Sequence, residues 1–416
     1  MLVFVALAGT AYFALRARRF DFFTVGFFSA AIYFLPGLVG YTLSPVTPGS
    51  PIKLPVQIVP EAYAIMLFVL SSVIVATVVW DRIGGRGAPG QWVLQDTRLA
   101  ADIAFWCGLI GMVLTWVTSE GAAFAADKRV VIENVGRWHV LWNMGAALGA
   151  LMAFAHGRRF LLASCFLLIA VDMYIGFRFT FAMTFLGLIT LWASARGPIA
   201  VRSLPKRYWF AIFFGALFII SFQNLKAPLR EGDWTEIGRR VSDPKWYLLG
   251  VLTSEPFTTQ TILNEIVRRD FRTGSDHLWA ASQQLILFAP SLGAEDVRFG
   301  DQFQPALFPL VDHGLANNIW AQMWSGGGWT LLSAFVFVHC LILALGSQLL
   351  LVKDNTLRSG VVLFFCYWAF YVHRNELLVQ AGLQKQVVLV WSGCVLFAML
   401  LAGALRSSRS PRGVGG

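Results

Sequence analysis

Apolar runs dominate the chain. Stretches of roughly 16–22 residues, nearly free of charge, recur near 1–15, 22–43, 62–80, 99–118, 138–156, 160–175, 179–195, 208–223, 319–350, 359–373 and 387–405. Runs of that length predict bilayer-crossing helices, which need about 20 apolar residues each. A transmembrane barrel would alternate apolar and polar positions along each strand, and these runs do not alternate. The pattern predicts an all-α polytopic membrane protein with about eleven transmembrane helices, ten to twelve at the limits. The ninth run is long enough for a span preceded by a lead-in helix.

The organisation that follows has eight spans within 1–223, a polar insert over 224–318, and three spans with a short tail in 319–416. Inside the insert, Trp246–Arg269 places apolar residues at helical spacing. His277–Pro290, with Trp279 and Phe288, is amphipathic and reads as interfacial. Gly293–Gly314 is rich in glycine and proline and reads as an ordered loop. No internal repeat is visible, which weighs against a transporter built of inverted halves.

Composition sharpens the class. Of 416 residues 57% are hydrophobic and 13% charged, and mean hydropathy is +0.63; a soluble chain would have to hide too much apolar surface. Half of the basicity behind the formal net charge of +10 follows from topology. Arg16, Arg82, Arg158, Arg159, Arg196, Lys206, Lys353 and Arg358 fall in short, acid-poor loops on one side of the alternating spans. The positive-inside rule assigns that side to the cytoplasm, with the N-terminus outside and the C-terminus inside. The insert and most of the acids are then extracytoplasmic. Basicity of this kind is no nucleic-acid signal, and no nucleic-acid motif is present. Cys107, Cys165, Cys340, Cys366 and Cys394 all lie in apolar runs without CxxC spacing, so they read as packing residues rather than disulfides or metal ligands. Met1–Leu15 lacks a basic n-region and reads as a retained span.

Ionisable residues at the mouth of a membrane bundle are expensive and need a reason. In "VDMYIGFRFTFAMTFL", Asp172 and Arg178 stand at an extracytoplasmic junction of two spans, and Asp172 and Tyr174 are candidate substrate contacts. Arg178 is either a snorkelling arginine paired with Asp172 or a guanidinium presented to a phosphate, which it grips by two parallel hydrogen bonds. In "YVHRNELLVQ", His373, Arg374 and Glu376 sit at the outer end of another span, as an interfacial cap or as a second such group. "VRRDFR" adds Arg268, Arg269 and Arg272 in the insert, otherwise a solvated face. "VDHGLANNIWAQMWSGGGWTLL" brings Asp312, His313, Asn317, Asn318 and Gln322 just before three glycines, Gly326 to Gly328, that permit a bend or close packing. His313 offers general-base chemistry near neutral pH. His139, His156 and His339 read as interface or packing residues. No HExxH, GxSxG or P-loop motif supports a hydrolase or ATPase.

These segments resemble the bacterial oligosaccharide repeat-unit polymerases of the Wzy type and, more distantly, the O-antigen ligases. The likeness rests on the "G-x-R" lead into a span (Gly176, Phe177, Arg178), the large late extracytoplasmic loop, "GLANNIWAQMWSGGGW", and "HRNELL" with Arg374, Asn375, Glu376 and Leu377. Two features depart from the family pattern. "ANN" stands where the ligases carry His-Asn, with His313 four residues ahead of Asn317, and Ala289-Pro290-Ser291 stands where many polymerases carry Pro-Arg. The resemblance implies a GT-C-like, lipid-linked-donor glycosyltransferase of the bacterial inner membrane, inverting, needing no cofactor and no metal. Its partners would be undecaprenyl-pyrophosphate-linked glycans and membrane lipids, with a chain-length-regulating co-polymerase as a further one. On that reading Arg178 and Arg374 clamp the pyrophosphate, and Arg268, Arg269 or Arg272 assist. His313 is the general base, with Asp312 and Glu376 as substitutes, and Asn317 and Asn318 contact substrate. The competing readings are the ligase and, from another class, a transporter or flippase.

Overall fold

Helices occupy almost every apolar run in the computed structural model. The structure describes residues 1–16, 20–45, 53–83, 94, 99–122, 130–131, 134–196, 205–206, 209–210, 214–215, 225, 228–229, 231–252, 254–284, 298–309, 311 and 315–409. The elements run α1 (Leu2–Leu15), α2 (Phe22–Tyr33), α3 (Leu35–Val39), β1 (Tyr41–Pro45), β2 (Lys53–Gln57), α4 (Pro60–Ile83), α5 (Ala100–Thr118), α6 (Trp138–Ala155), α7 (Arg159–Ile175) and α8 (Arg178–Ser194). The insert contributes α9 (Trp234–Ser242), α10 (Pro244–Leu252), α11 (Glu255–Arg268), α12 (Asp276–Gln283) and α13 (Phe299–Leu307), and the chain closes with α14 (Ile319–Leu349), α15 (Asn355–Tyr371) and α16 (Leu377–Arg409). The run at 208–223 lies almost wholly outside the described residues.

Among the described residues five helices are long and apolar enough to cross a membrane: α4, α5, α6, α14, and α16 over Leu377–Leu405. They mark the chain as a helical membrane protein. Leu2–Leu15, Phe22–Tyr33 and Arg178–Ser194 are shorter apolar helices.

The chain divides into two compact units. The first comprises Met1–Gly87, Arg196–Gln348 and Phe365–Lys385, so the insert belongs to it. Here the expectation of one span over 22–43 is corrected. α2 ends at Tyr33, Pro36 restarts a short helix, and Gly40, at φ 98°, turns the chain into a strand. That strand pairs antiparallel with β2 in the register Tyr41↔Gln57 to Pro45↔Lys53. The hairpin is tied to the insert: Thr261 Oγ1 donates to the Leu43 carbonyl at 3.1 Å, and Asn264 bridges the Gln57 carbonyl and the Val59 amide.

The described helices of the insert are packed. α11 buries Phe257 and every residue from Thr259 to Val267, so it is a core helix. The helical periodicity over Trp246–Arg269 is met by two helices, α10 ending at Leu252 and α11 starting at Glu255 with Pro256 in its first turn. α12 buries His277, Ala280 and Ala281 but leaves Trp279 67% exposed; the rest of the amphipathic stretch, from 285, lies outside the described residues. The expected loop Gly293–Gly314 is corrected in part, because α13 forms within it. Phe299, Phe303 and Leu307 recur at helical spacing and are all buried, a pattern that outweighs the glycine and proline around it.

α14 bends as its glycines permit. Gly327 and Gly328 leave helical geometry. Gly328, at φ 58° and ψ −147°, occupies backbone space essentially reserved for glycine.

The second unit comprises Ala88–Ala195, Leu349–Phe364 and Gln386–Gly416. Its tightest packing is α5 on α6, through glycines. A Cβ at Gly111 would lie 2.4 Å from the Trp142 amide nitrogen, and one at Gly145 2.6 Å from that of Gly108. Such close backbone approach is how helices adhere where lipid removes the hydrophobic drive between them. Trp142, Ala146, Ala150, Cys165, Leu168 and Ile169 form the buried core beside it.

Candidate functional site

A cationic centre lies in the first unit, where α15 gives way to α16. α15 ends at Tyr371, whose carbonyl accepts the amides of Arg374 and Asn375 at 3.0 Å and so closes a tight turn. The Arg374 guanidinium stands 5.3 Å from the centroid of the Tyr371 ring. Its Nε lies 3.2 Å from Glu255 Oε2, at the start of α11, and the side chain keeps 29% of its exposure. Burial alone would pull this guanidinium's pKa down; the Glu255 carboxylate outweighs that and holds it above the ordinary arginine value.

The residues on either side pin the turn. His373 is fully buried, stacks on Tyr33 at 5.7 Å, and accepts the indole N–H of Trp320 on Nδ1 at 3.1 Å. His339 accepts from Trp368 in the same way. Each neutral imidazole therefore carries its proton on Nε2. On the other side, the Glu376 carboxylate accepts the Phe299 amide at 2.5 Å and the Gly300 amide at 3.3 Å. It thereby caps α13, a stabilising place for a negative charge at a helix N-terminus. Burial raises the Glu376 pKa, and those two amides offset part of the rise. Gln322 Oε1 accepts the Leu377 amide at 2.8 Å. Arg374 is thus a half-exposed, immobilised cation on a turn held at both ends, which is the preorganisation that stabilisation of developing charge requires.

The arginines of "VRRDFR" lie at the far end of α11. Glu255 and Arg268 are separated by about 20 Å along that helix. Arg268 and Arg269 both reach back to Glu265, an i,i+3 and i,i+4 pattern. Arg272 pairs with Asp270, donates to the Trp324 carbonyl at 2.9 Å, and lies over the Trp324 ring at 5.1 Å. It fastens the insert to α14 just before the kink, beside the Thr273 amide bond to the Ser325 carbonyl. The expected assistance to Arg374 from these three becomes a second basic centre at the opposite end of α11.

Asn318 is buried and fully engaged. Its Oδ1 caps the Trp320 and Ala321 amides, and its Nδ2 donates to the Thr259 carbonyl. It shapes the start of α14, so the expected substrate contact is reassigned to a cap. Asn317 is half-buried. Asp312, His313 and Ala289-Pro290-Ser291 lie outside the described residues.

Arg178, Asp172 and Tyr174 belong to the second unit. Gly176, at φ 117°, ends α7, and the Phe177 amide returns to the Asp172 carbonyl at 3.0 Å. That leaves Arg178 as the first residue of α8, half-buried. Asp172 is fully buried, 2.6 Å from His139 Nε2 and 2.5 Å from Thr180 Oγ1. Its carboxylate is committed to those two groups as an internal tie of α6, α7 and α8, which corrects its expected role at substrate. Tyr174 is exposed.

Reading the sequence missed Glu255, Tyr371, Trp320 and the buried His277. Ser-Glu-Pro at 254–256 is a legible helix start, but nothing local pairs Glu255 with an arginine so distant in sequence. Two cavities of about 530 and 550 Å³ are lined respectively by residues such as Met1, Gly37 and Tyr63, and by Asp102, His156, Arg158 and Asn355. Neither contains a side chain of the candidate site. Comparison with family models, with curated proteins and with solved structures finds no match to this chain.

Proposed function

We propose that the chain polymerises undecaprenyl-pyrophosphate-linked oligosaccharide repeat units outside the cytoplasm, as a GT-C-like glycosyltransferase of the bacterial inner membrane. In this reading the apolar helices, with the run at 208–223, make about eleven spans. The N-terminus is outside and the C-terminus cytoplasmic. The observation that carries the reading is Arg374, a half-exposed guanidinium fixed between Glu255 and Tyr371 on a turn anchored by Glu376 and Gln322.

The chemistry asks for such a group. An acceptor hydroxyl oxygen attacks the anomeric carbon of the donor, and the bond from that carbon to the pyrophosphate oxygen breaks. Undecaprenyl pyrophosphate leaves with the electron pair, and the hydroxyl proton passes to a base. Charge grows on the leaving pyrophosphate, where a planar cation gives two parallel hydrogen bonds. One such donor contributes on the order of 3 kcal/mol to the transition state. Arg178, in the second unit, is proposed as a phosphate ligand in its own right, and His313 is the proposed base.

The test is to incubate purified full-length protein with an undecaprenyl-pyrophosphate-linked repeat unit and resolve the products on a gel. A ladder formed without nucleotide sugar or added metal supports the reading. The absence of a ladder from the cognate substrate overturns it in favour of the ligase or the transporter.

A further inference from the structure

A cavity at one end of the second unit takes no part in the chemistry above. It measures about 550 Å³ and is lined by Leu99, Asp102, Ala155, His156, Arg158 and Asn355. Small-molecule sites occupy about 300–1,000 Å³. Helix ends converge on it: Leu99 precedes α5, Ala155 closes α6, Arg158 precedes α7, and Asn355 opens α15. α5 and α6 are long and apolar enough to cross a membrane, so their shared end is where a bilayer presents its headgroups.

The turn into α7 holds an arginine in the cavity wall. Gly157 adopts φ 70°, and the Arg158 amide bonds to the Ala153 carbonyl at 2.8 Å, a helix-ending motif that fixes the backbone. The Arg158 guanidinium donates from Nη1 and Nη2 to the two Asp102 oxygens at 2.5 and 2.6 Å. Those bonds use two of its five N–H groups and leave the edge that carries Nε for another acceptor. The pair keeps 41% and 32% of its side-chain exposure, so it adds little to folding. Asn355 donates to the Ala155 carbonyl at 3.1 Å and accepts from Arg358 Nη2 at 2.8 Å, which leaves one amide N–H for a ligand. His156 meets Thr356 Oγ1 at 3.3 Å.

Charge around the cavity favours an anion. Arg158, the exposed Arg159 and Lys353, and the half-buried Arg358 all stand at this end. Of the acids, Asp102 is matched by Arg158, and Asp354 accepts the Leu357 amide at 2.7 Å and the Leu94 amide at 3.2 Å. Basic pockets between membrane helices suit anionic headgroups. Asp102 would repel a multiply charged phosphate more than a singly charged one, so a phosphodiester fits better than a free phosphate dianion. An apolar track leads away from the same place. Beyond Asp102, Trp106, Ile110, Val113 and Val117 repeat along one face of α5 and are 45–65% exposed, over about 22 Å of helix. Gly108 and Gly111 put the opposite face against α6. A place for one phosphate, with a long apolar track beyond it, matches a phospholipid.

We propose that this cavity binds an anionic glycerophospholipid, with Arg158 on the phosphate, Asn355 on the headgroup hydroxyls and an acyl chain along the exposed face of α5. The proposal needs the chain to lie in a bilayer and does not rest on the glycosyltransferase reading.

Native mass spectrometry of the full-length protein in detergent tests it, with dioleoyl phosphatidylglycerol, dioleoyl phosphatidylcholine and inorganic phosphate as probes. The expected result is phosphatidylglycerol held about tenfold more tightly than phosphatidylcholine, and retained in a large excess of inorganic phosphate. Arg158→Ala should weaken phosphatidylglycerol by about tenfold or more, with little change in the unfolding midpoint. Asp102→Asn keeps the guanidinium and removes the opposing charge, so it should bind phosphatidylglycerol at least as tightly as the parent. A pair with a purely structural role would move both variants in the same direction, so equal weakening in the two overturns the site. Equal affinity of the parent for the two lipids overturns it as well, as does parental affinity in Arg158→Ala. Should Arg158→Ala fail to fold, the lipid comparison and Asp102→Asn decide. Displacement by inorganic phosphate as readily as by phosphatidylglycerol would assign the cavity to a soluble anion and sink the lipid.

Discussion

Replacing Arg374 by alanine separates the proposed catalytic role from folding, because its exposed pair with Glu255 carries little stability. The pair with Glu255 is open to water on both sides, with 29% and 34% side-chain exposure. Pairs so exposed contribute about 0–1 kcal/mol. The Trp320–His373 hydrogen bond and the Glu376 cap are made without the guanidinium. Arg374→Ala should therefore lower the unfolding midpoint by only a few degrees, about 1 kcal/mol at most. On the proposed function, the same group would meet growing negative charge on the leaving pyrophosphate. Removing one such donor lowers the rate by about 10²–10³. Arg374→Lys retains the charge but loses the planar fork, and should recover only part of that loss. The assay is the rate of ladder growth from lipid-linked repeat units at saturating substrate, with tryptophan-monitored unfolding on the same preparations. A ladder of parental rate from Arg374→Ala would refute the assignment. So would a loss of activity that merely tracks the unfolded fraction.

Arg178→Ala should abolish long polymer while the protein still inserts and folds, read by glycan profile and by unfolding of the purified protein; normal chain length would remove Arg178 from the site. Gly111→Ala should destabilise the second unit. Its new Cβ would lie 2.4 Å from the Trp142 amide nitrogen, so α5 and α6 must part by about 1 Å, at a cost of roughly 1–3 kcal/mol; an unchanged unfolding midpoint would contradict the close packing. Glu376 gives a pH signature. Its folded pKa is raised above the ordinary 4.5, so between 4.5 and the raised value the folded state holds the extra proton. Stability from this group is then greatest at low pH and is lost as pH rises through the folded pKa. The difference in unfolding midpoint between parent and Glu376→Gln should narrow or reverse in the parent's favour on acidification from pH 7; a pH-independent difference would show that Glu376 titrates alike folded and unfolded.

The helices were legible wherever burial in lipid or protein is read directly from hydropathy. α4, α5, α6 and α8 fall close to their apolar runs, whereas α16 starts at Leu377, well ahead of its run, and the glycine bend of α14 follows from "SGGGW". What escaped was decided by tertiary contact. Phe34, Leu38 and Val39 are as apolar as the helix before them, so hydropathy could not reveal that Pro36 and Gly40 hand the chain to a hairpin resting on α11. α13 was hidden by the glycine and proline around it. At the site, Arg374 and Arg272 stood out as charges next to apolar runs. Their partners Glu255 and the Trp324 carbonyl carry no local mark. Asp172 invited pairing with the nearest arginine, yet the fold gives it to His139, 33 residues away.

The two glycines in α14 reset its rotational phase. Before them, Asn318 and Gln322 recur at a four-residue spacing and point their amides into protein. An unbroken helix would carry that bearing onward, so the face that meets the insert upstream would also dictate which face meets hydrocarbon downstream. Gly327 and Gly328 uncouple the two. Trp329–Leu349 then runs about 31 Å, close to the thickness of a hydrocarbon layer, and is free to choose its own orientation among its neighbours. One continuous segment thus serves two settings: Ile319 to Ser325 is buried on every face, and the part beyond the glycines exposes Phe337, Leu341 and Leu345.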